Sequence, residues 1–167
     1  MQAIKGLLAA LGVVAPMAAL LLITAGLTPG GTWVWPRAWV LLAATAVVCG
    51  VGSAALAVYR PAHFAMRQQA PVAARDKRQP WIDAVGLVTF IAYLLAWLVF
   101  IPVDVFTLRL LPGPPFAVAV AGAGLGLAGL VITQLAVAQN RFATPTIHDQ
   151  TADGQSVVDT GLYGLVR

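Results

Sequence analysis

The segment FAVAVAGAGLGLAGLVITQLAV, from Phe116 to Val137, contains no Asp, Glu, Lys, Arg or His. A helix rises ~1.5 Å per residue, so about 20 apolar residues cross a hydrocarbon core roughly 30 Å thick. The segment is long enough, and Pro112-Gly113-Pro114-Pro115 marks its start as a break in the chain. It is read as a transmembrane helix. Three further runs share its length and lack of charge: Gly6–Leu27, Trp39–Tyr59 and Ala84–Ile101. Thr28-Pro29-Gly30-Gly31 closes the first, Trp33, Trp35 and Trp39 cluster where the second begins, and Pro102 and Asp104 end the third. Tryptophan and tyrosine favour the headgroup level, which suits Trp33, Trp35, Trp39, Tyr59 and Trp81 at span ends.

Composition agrees. Of 167 residues, 60% are hydrophobic and 10% charged, and the mean hydropathy is +0.86. Soluble domains carry about 25% charged residues, so this chain is far outside that class. The expected fold is all-α: a polytopic membrane protein with four transmembrane helices in residues 1–137 and a cytoplasmic C-terminal tail in residues 138–167. Lys5 precedes a first run longer than the usual signal-peptide core, and no small-x-small cleavage site follows, so that run is expected to be retained as a helix.

The net charge of +4 does not point to nucleic acid, because the basic residues stand at span ends rather than interleaved with aromatics. With four spans, Lys5, Arg60, Arg67, Arg75, Lys77, Arg78, Arg141 and Arg167 fall on one side, and Arg37 and Arg109 on the other. Eight against two predicts cytoplasmic N- and C-termini in a multi-pass protein of a bacterial-type inner membrane or its equivalent. The basic loop from Arg60 to Pro80 shows little hydrophobic periodicity. Its charges either set topology or attract anionic headgroups, so membrane lipids are expected partners.

No ionisable side chain sits in the middle of a span, which argues against an intramembrane proton or ion relay. Gly122, Gly124, Gly126 and Gly129 line the fourth run, with Gly122 and Gly126 in G-x-x-x-G spacing, and are expected to serve close helix packing. A nucleotide-binding glycine loop would need a strand before it, which this context lacks. Thr133 and Gln134 are expected to hydrogen-bond between helices or to begin a polar surface. Cys49 is alone in an apolar run and reads as a small buried hydrophobe. His63 and His148 have no partner at ligand spacing, so no metal site is read.

The tail is the one part that spans and connectors do not explain. Asn140 and Phe142, then Pro145-Thr146, are followed by a polar link with the turn signal Asp153-Gly154. The chain then resumes as Val157-Val158-Asp159-Thr160-Gly161-Leu162-Tyr163-Gly164-Leu165-Val166-Arg167. Glycine before an aromatic suits a tight backbone approach, and the Tyr163 ring face suits a cation.

These residues resemble the isoprenylcysteine carboxyl methyltransferase family of integral-membrane methyltransferases. There Thr-Gly-x-Tyr-x-x-Val-Arg leads into His-Pro-x-Tyr; the first part is present through Arg167. Gln79-Pro80-Trp81-Ile82-Asp83 also resembles the family's opening of a helix. The resemblance implies an enzyme that transfers a methyl group from S-adenosylmethionine to a lipophilic acceptor, lipid-like or prenylated, by displacement at the donor methyl. It implies that Gln155, Ser156, Val157 and Val158 line the donor site, that Tyr163 touches the donor, and that His148 or Gln150 supplies an upstream polar contact. Arg167 counts with them as the residue leading into the missing motif. No catalytic residue and no metal are implied within this chain. Residues 138–167 are expected to be an incomplete donor region and the chain an inactive fragment. The competing expectations are a phospholipid N-methyltransferase, a membrane reductase of the sterol-reductase type, and a non-enzymatic four-helix scaffold or subunit.

Overall fold

A computed structural model describes residues 1–76, 81–110, 112–143, 154 and 156–165, without the side chains of residues 69–76 and 82–84. The helices are α1 (Gln2–Leu27), α2 (Pro36–Tyr59), α3 (Pro61–Asp76), α4 (Trp81–Val103) and α5 (Phe116–Gln139). A π-helical turn, Asp104–Leu108, continues α4, and a 3-10 turn, Gly161–Leu165, lies in the tail. No strand occurs among the described residues. Four helices are long and apolar enough to cross a membrane: Gln2–Leu27, Pro36–Tyr59, Val85–Leu108 and Phe116–Gln139. The chain is an all-α, multi-pass membrane protein.

Each span is longer than its apolar run. Pro36 opens α2 at the first helical position, where its missing N–H costs no hydrogen bond. α4 passes through the buried Pro102, and the π turn carries it on to Leu108. There the Arg109 N–H donates to the Asp104 carbonyl at 2.8 Å, the Leu110 N–H donates to Asp104 Oδ1 at 3.0 Å, and Arg109 takes a left-handed φ of 49°.

Packing follows the order α4–α1–α2–α5: α1 and α2 form the central pair, α4 flanks α1 and α5 flanks α2. The α1–α2 seam is built from small residues. A Cβ on Gly6 would lie 2.6 Å from Ala54 Cα, and Ala10 and Ala57 are buried beside that contact. Small side chains let backbones approach closely, which is how helices gain dispersion energy where lipid removes the hydrophobic driving force. At the far end Leu21, Leu22 and Ala38 form a core with Trp35, Leu42 and Leu98 against it. Trp35 meets Phe106 edge-on at 5.1 Å, the Trp39 indole N–H donates to the Trp33 carbonyl at 3.0 Å, and Thr107 Oγ1 donates to the Pro29 carbonyl at 2.9 Å. Pro29 and Gly30 occupy the centre of a tight turn closed by Gly31 N–H to Thr28 O at 2.8 Å, with Gly30 at φ 75°. Glycine fits that position because a side chain there would be strained.

Two expectations are corrected. The basic segment after Arg60 is not a loop: Pro61–Asp76 is helical. It is rich in Ala, Arg and Gln, which propagate helices without an apolar stripe of span quality. The glycine row of α5 does not serve packing within the described chain, since Gly122, Gly124, Gly126 and Gly129 have no atom within 4 Å of where a Cβ would be. Among the described residues only α2 and the tail turn pack on α5 appreciably, and none of its most apolar stretch is buried.

The two glycine classes separate in stability. Gly6→Val should cost about 1–3 kcal/mol by forcing α1 off the Ser53–Ala54 backbone, whereas Gly122→Ala should stay within about 0.5 kcal/mol of the parent. Steric-trapping unfolding in bicelles reads both; equal losses would place the critical contact elsewhere.

Candidate functional site

Lys5, Arg60, Arg67 and Arg141 stand at one end of the helix row, and Arg37 and Arg109 at the other. The basic end is also where α3 and the tail meet the spans. α3 begins one residue after α2, and the Phe64 N–H bonds back to the Arg60 carbonyl at 3.1 Å, so the chain turns without losing helical hydrogen bonding. His63, Phe64 and Arg67, spaced i, i+1 and i+4, share the partly buried face of α3.

Arg67 links α3 to the tail. Its Nη1 donates to the Ala143 carbonyl. Burial pushes the guanidinium pKa down, and a charge on the neighbouring Tyr163 would push it back up, so the two side chains lie within electrostatic reach. An arginine remains protonated throughout this range. The segment it grips is ordered locally: Asn140 Oδ1 accepts the Phe142 N–H at 2.9 Å, the Ala143 N–H donates to the Asn140 carbonyl at 3.2 Å, and Phe142 is buried with Arg141 stacked 4.5 Å from its ring centre.

The 3-10 turn is held from the other side by Gln139, the last residue of α5. Gln139 Oε1 accepts the Leu162 N–H at 2.8 Å. Gly161 sits at φ 61°, and a Cβ there would come within 2.6 Å of the same oxygen. Glycine is therefore required twice, for the left-handed backbone and for the approach to Gln139. Tyr163 is half-buried on this turn, Val158 is half-buried before it, and Ser156 and Val157 are exposed. Gln150, Gln155, Arg167 and His148 lie outside the described residues.

Beneath α3 a cleft of about 320 Å³ opens among α1, α2, α3 and α5. Arg67 and Gln68 line its outer end, and further polar atoms come from Ser53, Gln134 and Cys49. Ala10, Val13, Leu56, Phe64 and Val137 supply apolar walls. Cys49 is thus half-buried on a cleft wall rather than buried in a core. Gln134 does meet a neighbouring helix: its side chain fills the space over Gly52, where a Cβ would be 2.8 Å from it. Thr133 instead donates to the Gly129 carbonyl of its own helix at 2.9 Å, so it does not serve as an interhelical bond.

The sequence reading counted Arg67 among charges that set topology or attract headgroups, and assigned Gln139 nothing. No apolar periodicity marks an inward α3 face, because His63 and Arg67, the residues that turn inward there, are polar. Among the described residues no three His, Cys, Asp or Glu side chains gather as a metal-ligand set.

His63 Nδ1 is buried without a hydrogen-bond partner among the described residues. Burial, with the charges of Arg60 and then Arg141, holds the His63 pKa below its ordinary 6.5, against an opposing pull from the Ala138 backbone. A histidine depressed on folding takes up its proton more readily unfolded, so folding is favoured above pH 6.5 and weakened as pH falls below it. Exchange of the α3 amides should therefore slow less between neutral pH and pH 5 than the base-catalysed intrinsic rate does, and His63→Gln should remove the difference. An unchanged profile in that variant would assign the effect to another group.

The sequence matches no family model, and neither curated proteins nor solved structures give a match to it.

Proposed function

We propose that the chain is the membrane part and donor-side tail of a methyltransferase that takes its methyl group from S-adenosylmethionine and passes it to a lipophilic acceptor. The observation that supports this reading is the Gly161–Leu165 turn. It is docked on the end of α5 through Gln139, opened by a glycine at φ 61°, and carries Tyr163 beside Arg67. A turn built this way sets an aromatic ring at the membrane surface, where a water-soluble sulfonium donor is met by an acceptor dissolved in lipid. A ring face attracts a sulfonium as it does other cations. Methyl displacement from a sulfonium needs alignment more than acid–base assistance, because the leaving group is already good; holding the reactants in line is the dominant contribution.

In this reading the basic end faces the cytoplasm, where the donor is made, and Ser156, Val157, Val158 and Tyr163 line the donor side together with Gln150, Gln155 and Arg167. A second reading, an assembly subunit without chemistry, is favoured by the open α5 face.

Equilibrium dialysis of labelled S-adenosylmethionine against the chain in nanodiscs separates the two. Saturable binding, displaced by S-adenosylhomocysteine but not by NADPH, is expected, and Gly161→Val should weaken it by about tenfold or more. Displacement by NADPH would indicate a reductase, and no binding would leave the subunit reading. For orientation, Lys5→Cys and Arg109→Cys in a Cys49→Ala background are tested with a membrane-impermeant maleimide on intact cells. Position 109 should label and position 5 should not; the reverse pattern would invert the protein.

A further inference from the structure

No described residue of the tail lines the cleft under α3. Its lining on α2 runs from Leu56 down to Cys49, which at ~1.5 Å per residue is roughly 10 Å, about a third of a ~30 Å hydrocarbon core. The cleft therefore lies within the leaflet at the basic end. Among the described residues its only charged lining residue is Arg67, which stands with Gln68 on α3, the helix that caps its outer end. Below that the lining is mostly apolar, from Val13, Leu56, Phe64 and Val137, with the Ser53 hydroxyl and the Gln134 amide as isolated hydrogen-bonding groups.

We propose that this cleft holds one anionic phospholipid of the leaflet at the basic end, its phosphate on Arg67 and an acyl chain along the apolar wall. Several features favour that occupant. A guanidinium spends one N–H on the Ala143 carbonyl and has others left for a phosphate, with which it forms strong charge-assisted bonds. Arg60 and Arg141 stand at the same end and add to the positive field that draws anionic lipids from the leaflet. A polar ligand from water would leave the apolar depth unfilled, whereas an acyl chain fills it. The site is independent of any methyl transfer.

Native mass spectrometry of the delipidated full chain in mild detergent, titrated with phosphatidylglycerol or phosphatidylcholine, tests the proposal. One phosphatidylglycerol should be retained, about tenfold or more tighter than phosphatidylcholine. Arg67→Gln should abolish that preference. Val13→Trp, which fills the cleft from an exposed position on α1 and leaves Arg67 in place, should abolish retention of both lipids. Arg37→Gln, at the opposite end, should change nothing. Circular dichroism confirms that each variant is helical. Equal retention of the two lipids, a preference that survives Arg67→Gln, or retention that survives Val13→Trp would overturn the site. So would displacement of the lipid by inorganic phosphate alone, which would mark a simple anion site.

Discussion

The close approach of α1 to α2 is the contact on which the other helices depend. Gly6 lies against the Ser53–Ala54 backbone, with Ala10 and Ala57 buried nearby. In a bilayer no water is released when apolar helices meet, so the pair must be held by contacts at short range, and only small residues permit them. α4 and α5 are each added to one side of this pair. Widening the seam would displace both at once, together with the cleft that α1, α2 and α5 share.

The outer helices show the reverse condition. Their side chains are mostly exposed although they are as apolar as those of α1, and α5 presents a row of glycines to open space. In water that much apolar surface would demand a partner; in a membrane, lipid chains cover it at little cost. A glycine in such a row loses nothing by lacking a neighbour. This is why G-x-x-x-G spacing, read alone, misled: the spacing permits close packing but does not supply the helix that packs.

The spans were legible because length and absence of charge are sufficient to define them in lipid. Their ends were less so, since Pro36 and the polar residues Gln2, Asp104 and Gln139 can all join a helix without being apolar. α3 was missed because its face is defined by what lies beneath it. His63 and Arg67 are polar in composition, and only contact with α5 and the tail makes them inward-facing. Of the candidate site, Gly161 and Tyr163 could be read from an aromatic following a glycine. Gln139 could not, because a glutamine at the end of a span looks like any polar boundary residue until the Leu162 N–H reaches it.

The basic end therefore concentrates polar structure for a reason set by the medium. Charged and amide side chains are costly at depth, and backbone outside a helix cannot be satisfied by lipid. Both become affordable only where a span ends. α3 lies at that boundary, and the stem of Arg67 can rest against apolar walls while its head reaches the tail carbonyl. One side chain thus fixes the roof of the cleft and the start of the tail at the same depth. Anything bound in the cleft would bias the position of Arg67, and through it the Ala143 carbonyl where the tail begins. The membrane side and the water side of this end are mechanically joined by that residue, whatever chemistry the tail performs.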